Sequence, residues 1–509
     1  MSLPGGSAEV GETAVDGTLI TNATVWTDGA FRRADILLAG GSIEAIVAPG
    51  EASGRDVPTV GATGCAVIPP FFNGHVHSSS TLFRGTENSY PLELWSLWAI
   101  CYGRGSTAAS IRAALRLTAI EMIRAGIGGY IDHFPPAQFM DDALHVHRQS
   151  GLRVGFAPFF ADLRDEDILD MPLDRTTLEA QAQGPMSDHD ALRLRTERLA
   201  WTRDARITPL LGPNAPQRCS QPLLELWAEL AARHDLGSHT HLLETYPQHR
   251  LAQARWPGGA VSELERLGLL DGRTSLAHAI WLDDTARETL ARHGATAIHN
   301  PLSNQMLGSG AMPVRRMLDA NIRLGLGTDC SNTAGRHDMF ETMRQMLVSG
   351  RDPGSWHGGW IRADEALAAA SQDGWAALGQ GPARLAAGAR ADLLVLDFRS
   401  VTLAASAISP ASIVSHGDPR AVRDLMVDGQ WLLRDRQVTV FDEAAVIADA
   451  EQHAIDLRAS SEEGRAALKH IVGSYDDWSN KTFAGLACPH CGGPHRRLNK
   501  ARLEGGDTP

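Results

Sequence analysis

Between Pro69 and about Gly379 the chain alternates short apolar runs with longer stretches in which apolar residues recur every three or four positions. The short runs are Phe71 to His77, Tyr130 to Phe134, Arg153 to Phe159, Ile207 to Gly212, Gly237 to Leu243, Ser275 to Ile280, Ala295 to His299 and Arg323 to Thr328, which makes eight strand candidates. Among the longer stretches, Ser110 to Ala125 carries Ile111, Leu115, Ala119, Met122 and Ile123 at helical spacing, and Gly126 stops the pattern. Pro222 to His234, Val261 to Leu267, Asp283 to His293 and Val314 to Ala320 read the same way. Strands alternating with helices predict an α/β chain built from repeated βα units, and eight of them suggest a closed (β/α)8 TIM-type barrel. An open doubly wound sheet has the same rhythm, and periodicity alone does not exclude it.

Both flanks of this region change character. Leu19 to Ala23, Val25 to Trp26, Ala34 to Ala39, Ser42 to Ala48 and Gly64 to Ile68 read as short strands joined by turns. Ala391 to Asp397, Ala421 to Val427 and Gln430 to Leu433 do so again after the barrel. The two ends of a barrel chain lie close together, so these flanks are expected to form one small composite sheet. The organisation that follows is a first part of the composite domain over 17–68, the barrel over 69–383, the second part over 384–442, and a helical, polar extension over 443–509.

Composition narrows the class. Of 509 residues, 43% are hydrophobic and 21% charged, which excludes wholesale disorder and fibrous structure. There is no apolar run long enough to span a bilayer, and the first sixteen residues are Gly-rich and acidic, unlike a secretory leader. A cytoplasmic protein without a membrane partner is expected. The net charge of −13 argues against a nucleic-acid partner held by bulk electrostatics and favours a small neutral or cationic ligand. Cys65, Cys101, Cys219 and Cys330 are scattered singly, which is no disulfide framework. The lysines are Lys469, Lys481 and Lys500, so the first 468 residues contain none.

The strongest local chemistry is Asn73-Gly-His75-Val-His77 at the end of the first strand candidate. Residues i and i+2 of a strand point to the same side, so His75 and His77 can offer two imidazoles to one metal. Alone, such a pair is more often a surface coincidence. His241, His278 and Asp329 stand at the ends of three later candidates, and barrel sites are assembled from the carboxyl ends of several strands. Imidazoles and a carboxylate around a water suit zinc or another borderline divalent ion. Glu244, three residues after His241, places a carboxyl just beyond the ligand strand, where it could carry a proton to a ring nitrogen or a leaving amine.

With these residues on the page, the chain resembles the amidohydrolase superfamily, in particular its chlorohydrolase and aminohydrolase branch of triazine hydrolases and of guanine, cytosine and adenosyl-homocysteine deaminases. The matching stretches are IPPFFNGHVHSSSTLFRG (Ile68 to Gly85), HTHLLET (His239 to Thr245), LAHAIWL (Leu276 to Leu282), HNPLSNQMLGSG (His299 to Gly310), LGLGTDCSNT (Leu324 to Thr333) and ARADLLVLD (Ala389 to Asp397). The resemblance covers roughly Gly17 to Asp442 in order. It implies one divalent metal, Zn2+ first and Fe2+ second, held by His75, His77, His241 and Asp329. It also implies that His278 hydrogen-bonds the water or substrate, that Asp329 is the base and that Glu244 is the proton shuttle. A bound metal brings the pKa of its water to about 7, which fits that division of labour. Binuclear relatives bridge two metals with a modified lysine on the fourth strand, but no lysine precedes Lys469, so one metal is expected.

The expected reaction is deamination of an aminated nitrogen heterocycle. Removal of a halide, an alkylamine, or an amide or urea bond by the same site is the alternative within enzymes, and a non-catalytic scaffold the alternative outside them. The expected partners are a small heterocyclic substrate and further copies of the chain in a homo-oligomer. Arg84, Trp95, Trp98, His133 and Asn304 are candidate substrate contacts; helical core packing explains the two tryptophans equally well. The sequence departs from the resemblance at Thr86 to Leu92, in a loop that usually meets substrate, and at Cys330, where a small residue is usual. Near the end, Cys488, Cys491 and His495, with His490, offer a possible second metal site or a plain polar tail.

Overall fold

The computed structural model describes residues 17–484 except 88, 185, 352, 353, 355, 356 and 380–382. Cys488, His490, Cys491 and His495 therefore lie outside the described residues.

The amino-terminal flank forms β1 (Thr18–Thr27), β2 (Ala30–Ala39), β3 (Ser42–Val47), β4 (Thr59–Gly61) and β5 (Cys65–Ile68). The barrel strands follow as β6 (Phe71–Val76), β7 (Ile127–Phe134), β8 (Arg153–Phe160), β9 (Ile207–Pro213), β10 (Gly237–Leu242), β11 (Thr274–His278), β12 (Thr296–His299) and β13 (Arg323–Leu326). After them come β14 (Leu393–Asp397), β15 (Val422–Val427), β16 (Gln430–Arg434) and β17 (Gln437–Val438).

Strands β6 to β13 lie side by side in chain order, each parallel to the next. A parallel bridge between Val76 and Asp329 joins the two ends of the series, so the sheet closes into a barrel and is not an open one. The strands read as continuous apolar runs because both faces are covered, by helices outside and by side chains inside. Phe72, Ile131, Ala157, Leu210 and Ile298 fill the interior from five strands. The 3-10 turn Asp373–Leu378 plugs the amino-terminal end, with the Trp375 ring 4.9 Å from that of Phe72. One end is thus sealed by hydrocarbon, and the polar strand ends face the other way.

Strand β7 starts at Ile127, three residues before the apolar pattern does, because Gly128 and Gly129 carry no hydrophobic signal. Their lack of a side chain is structural: a Cβ on Gly128 would lie 2.6 Å from Pro70, and one on Gly129 2.8 Å from Trp375. Strand β11 ends at His278, short of Ile280, because His278 and Ala279 adopt φ of 70° and 45°, which no strand continues.

The flanks meet as expected. Strand β14 pairs antiparallel with β5, from Leu394 opposite Ile68 to Asp397 opposite Cys65, and β5 pairs parallel with β1. The result is a mixed sheet in the order β17-β16-β15-β14-β5-β1-β2-β3, with β4 beside β1 and a core that includes Ile20, Val25, Ile36, Val67 and Leu393. A buried ion pair ties barrel to sheet: Arg153 at the start of β8 donates to Asp392 (2.9 Å) and Asp428 (3.0 Å). The extension forms the helices Glu443–Ser460, Glu462–Leu468 and Val472–Thr482 and packs back on the barrel, partly through Arg124 to Glu443 at 2.8 Å. Among the described residues no helix is long and apolar enough to cross a membrane.

Arg153 is 2% exposed, and removing it strands two carboxylates at the junction. Arg153→Ala is expected to lower unfolding stability by about 3 kcal/mol, read as a fall in the urea midpoint without loss of far-ultraviolet dichroism.

Candidate metal centre

Strand register brings the sequence-selected residues together at the carboxyl end of the barrel. Val76 faces the outer core, so His75 on β6 and His77 just past its end turn inward on either side of it. His241 comes from β10, His278 from the end of β11, and Asp329 from just beyond β13. The backbone is bent where they emerge: Leu243, His278, Ala279 and Asp329 have φ of 45°, 70°, 45° and 62°, a region L-residues avoid unless their surroundings impose it.

Hydrogen bonds on one ring nitrogen fix the direction of the other. His77 Nδ1 donates to the carbonyl of His133 (2.5 Å) and His241 Nδ1 to the carbonyl of Asn214 (2.6 Å). His75 Nδ1 lies 2.8 Å from His239 Nε2, and His239 Nδ1 lies 2.7 Å from Ser275 Oγ, so a donor chain runs from His75 through His239 to Ser275. Each assignment leaves an Nε2 lone pair free on His75, His77 and His241. The Nε2 atoms of His77 and His241 face each other at 3.2 Å, and those of His75 and His77 stand 3.4 and 3.3 Å from Asp329 Oδ1. Such crowding of lone pairs is unfavourable unless a cation lies among them. The buried His75 Nε2 has no hydrogen-bond partner, as a metal donor atom would not. The residues present fit a divalent ion.

The electrostatics agree. Burial drives the His75 pKa down to about 4 and that of His241 well below the usual range, keeping both rings neutral. Burial alone would raise the Asp329 carboxyl, but His75, His77 and His278 around it hold it well below its ordinary value. Ser303 Oγ donates to Asp329 Oδ2 at 2.6 Å. Neutral imidazoles beside an ionised carboxylate are the protonation states that metal ligation requires.

Glu244 behaves oppositely. Burial, then the nearby Asp329 charge, raises its pKa well above the ordinary value, so it stays protonated where other glutamates ionise. Its Oε2 is 3.5 Å from His278 Nε2, and Ser309 donates to its Oε1 at 3.1 Å. His278 Nδ1 donates to Asn304 Oδ1 (2.7 Å), which leaves Nε2 as an acceptor facing Glu244 and Asp329. Behind Glu244, the hydroxyls of Thr245 (2.6 Å) and Tyr475 (3.1 Å) both donate to the buried carboxyl of Glu93. The extension thus reaches, through Glu93, the loop that carries Glu244.

A cavity of about 850 Å³ opens from this cluster, lined by His77, Trp95, His241, Glu244, His278, Asp329 and Cys330 among others. Trp95 therefore stands where a flat ring could stack, and the Cys330 thiol is buried and pushed well up. The other candidate contacts do not line it. Arg84 ion-pairs with Glu121 on the later helix Ala108–Arg124, and Trp98 packs into the core against Tyr90 at 4.7 Å, the core-packing role that helical spacing equally allowed. Asn304 acts through His278, and His133 lies behind His77 with its ring 5.7 Å away. Two functional residues were not singled out from sequence: His239, although His239-Thr-His241 repeats the His-x-His pattern, and Glu93, whose partners are 152 and 382 residues away.

A parallel barrel whose carboxyl ends gather imidazoles, an ionised carboxylate and a protonated acid is the architecture of a metal-dependent hydrolase. The chain belongs to the amidohydrolase family, whose sequence model matches residues 66–432. It is 32% identical over 447 residues to a 5-methylthioadenosine/S-adenosylhomocysteine deaminase of Haloarcula marismortui, covering 84% of this chain and 95% of that one. A 5'-deoxyadenosine deaminase of Methanosarcina mazei is 29% identical over 452 residues, covering 87% and 98%. Among solved structures, an adenosine deaminase from Xanthomonas campestris with bound zinc shares the fold at TM-score 0.77 and 24% identity, covering 87% and 98%. The chain is accordingly a deaminase acting on carbon–nitrogen bonds.

Two outcomes follow from the geometry. His239→Ala removes the acceptor that orients His75, so zinc affinity should fall roughly 10–100-fold, measured by competition with a chromophoric chelator. Burial also lowers the pKa of His337 to about 4 and of His299 to about 3, so both rings are neutral when folded and charge on unfolding. Their stabilisation is complete above the unfolded pKa of about 6.5 and is lost as pH falls below it, about 4 kcal/mol for the pair by pH 5. Urea midpoints at pH 7 and 5 measure the slope, and His337→Gln with His299→Gln should flatten it.

Proposed function

We propose that this chain deaminates the adenine ring of a nucleoside modified at its 5' carbon, with one divalent ion, zinc in the first instance, held by His75, His77, His241 and Asp329. The observation that carries the reading is the placement of two buried carboxyl groups beside a cavity of about 850 Å³, Asp329 within 3.4 Å of the His75 and His77 rings and Glu244 3.5 Å from His278 Nε2, where burial pushes the Glu244 pKa well above its ordinary value. The cavity has room for a nucleoside and a 5' substituent. The deaminases of Haloarcula marismortui and Methanosarcina mazei, which match along nearly their whole length, act by name on such nucleosides.

The ion, when bound, supplies Lewis acidity that brings water ionisation toward neutral pH. Asp329 takes a proton from the attacking water while Glu244 gives its own to the ring nitrogen next to the attacked carbon. That carbon becomes tetrahedral. Asp329 then passes its proton to the exocyclic amine, the carbon–nitrogen bond breaks, and ammonia leaves as Glu244 recovers a proton from the new hydroxyl. His278, held through Nδ1 by Asn304, accepts a hydrogen bond at Nε2 and orients the groups between Glu244 and Asp329. Trp95 offers a face for the ring to stack on.

Ammonia release and the adenine-to-hypoxanthine absorbance change, followed across aminated purines, pyrimidines, pterins, triazines and 5'-modified adenosines, test the substrate class. The highest kcat/KM on a 5'-modified adenosine is expected; a triazine or pterin in that place would overturn the assignment. Glu244→Gln should keep the metal and lose roughly 10²–10⁴-fold in rate. Asp329→Asn should lose metal as well as turnover. A substrate releasing chloride needs no protonation of its leaving group and should depend much less on Glu244, so a near-parental rate of Glu244→Gln on an aminated substrate would remove the shuttle.

A further inference from the structure

Strand β7 brings one more imidazole to the cluster than the ligand set above employs. His133 is fully buried, and neither ring nitrogen has a hydrogen-bond partner, whereas the rings of His75, His77 and His241 each have Nδ1 engaged. A neutral imidazole has one N–H and one lone pair, and leaving both unmatched away from water is expensive in free energy. The ring is held in place: its centroid lies 4.1 Å from that of Phe159 in an edge-type arrangement, and its own backbone carbonyl accepts from His77 Nδ1 at 2.5 Å. Its centroid lies 4.7 Å from that of His241 and 5.8 Å from that of His75.

Donor atoms of His75, His77, His133 and His241 can be chosen so that all lie within 4.8 Å of one another. Around an ion with metal–nitrogen bonds of about 2.0–2.1 Å, two donors are separated by at most about twice that length, so this quartet is nearly compact enough to surround a single ion. Asp329 approaches the same region through His75 and His77. Resting on the metal-centre reading above, we infer that His133 is a further ligand of that ion, so that the centre presents four imidazoles and one carboxylate. The extra imidazole gives the ion a fourth neutral nitrogen and lets its hold depend less on Asp329, which is then freer to move a proton. An imidazole-rich site of this kind accepts zinc, iron, nickel and copper, and availability decides among them.

The full-length chain loaded with Zn2+ alone carries the test. X-ray absorption at the zinc edge should show four imidazoles around the ion; three would overturn the assignment of His133 while leaving the metal centre intact. His133→Leu, which keeps the bulk, should weaken zinc binding at least about tenfold in chelator competition, with the same circular dichroism as the parent. Unchanged zinc affinity in that variant also overturns the inference. If it does not fold, the absorption measurement on the parent chain decides. A parent chain that binds no zinc, iron, nickel or copper ion would overturn both this inference and the metal-centre reading beneath it.

Discussion

The amide of Asp329 donates to the carbonyl of His75 at 2.8 Å, and this one hydrogen bond joins the last barrel strand to the first. Closure and the site are therefore the same event. The bond places the Asp329 carboxyl beside His75 and His77, although more than 250 residues separate them. Asn73 reinforces it, donating to Thr328 Oγ1 at 2.7 Å and accepting from the Thr328 amide at 3.0 Å. Gly327 allows the approach, since a Cβ there would lie 2.3 Å from Asn300 Oδ1 and 2.9 Å from His75. In an open sheet of the same strands the carboxylate and the imidazoles would stand at opposite edges.

Burial does the rest. The cluster sits between a hydrocarbon plug that includes Phe72, Ile298 and Trp375 and the cavity, and its members are nearly all withdrawn from the surface, so contact with one another weighs heavily in settling their charges. Burial lowers the pKa of His75, His241 and His278 and raises that of Glu244, while the one carboxylate ringed by imidazoles is held well below its ordinary value. Two carboxyl groups in one pocket are thus driven to opposite protonation states, which is what a reaction needing both a base and an acid requires. Backbone carbonyls of His133 and Asn214 and the ring of His239 add direction, because each consumes an Nδ1 hydrogen and turns an Nε2 lone pair toward the centre.

The extension after the composite sheet belongs to this arrangement. Tyr475 on the helix Val472–Thr482 and Thr245 next to Glu244 donate to opposite oxygens of Glu93. Glu93 opens the helix that carries Trp95 into the cavity. Burial raises the pKa of Glu93, so the two donated bonds compensate a group that would otherwise be costly to hold. The loop after β10 is braced from a part of the chain beyond the segment matched by the family model.

The sequence by itself determined whatever depends on local periodicity and on residue type. Eight apolar runs at βα spacing are the barrel, and an i, i+2 pair at a strand end faces one way whatever surrounds it, so His75 and His77 were legible, as were His241, His278 and Asp329 by position at the ends of their runs. The absence of lysine before Lys469 needed no structure to exclude a lysine bridge. Tertiary structure alone decided which polar groups meet. Arg84 was within sequence reach of the site, yet it turns to Glu121; Trp98 faces the core where Trp95 faces the cavity; Gly128 and Gly129 carry no pattern, yet they admit Pro70 and Trp375. His239, His133 and Glu93 acquire their roles from partners on other strands or in the extension. Hydrophobic patterning records which face of an element is buried, whereas the pairing of hydrogen-bond donors and acceptors exists only once distant strands are in register.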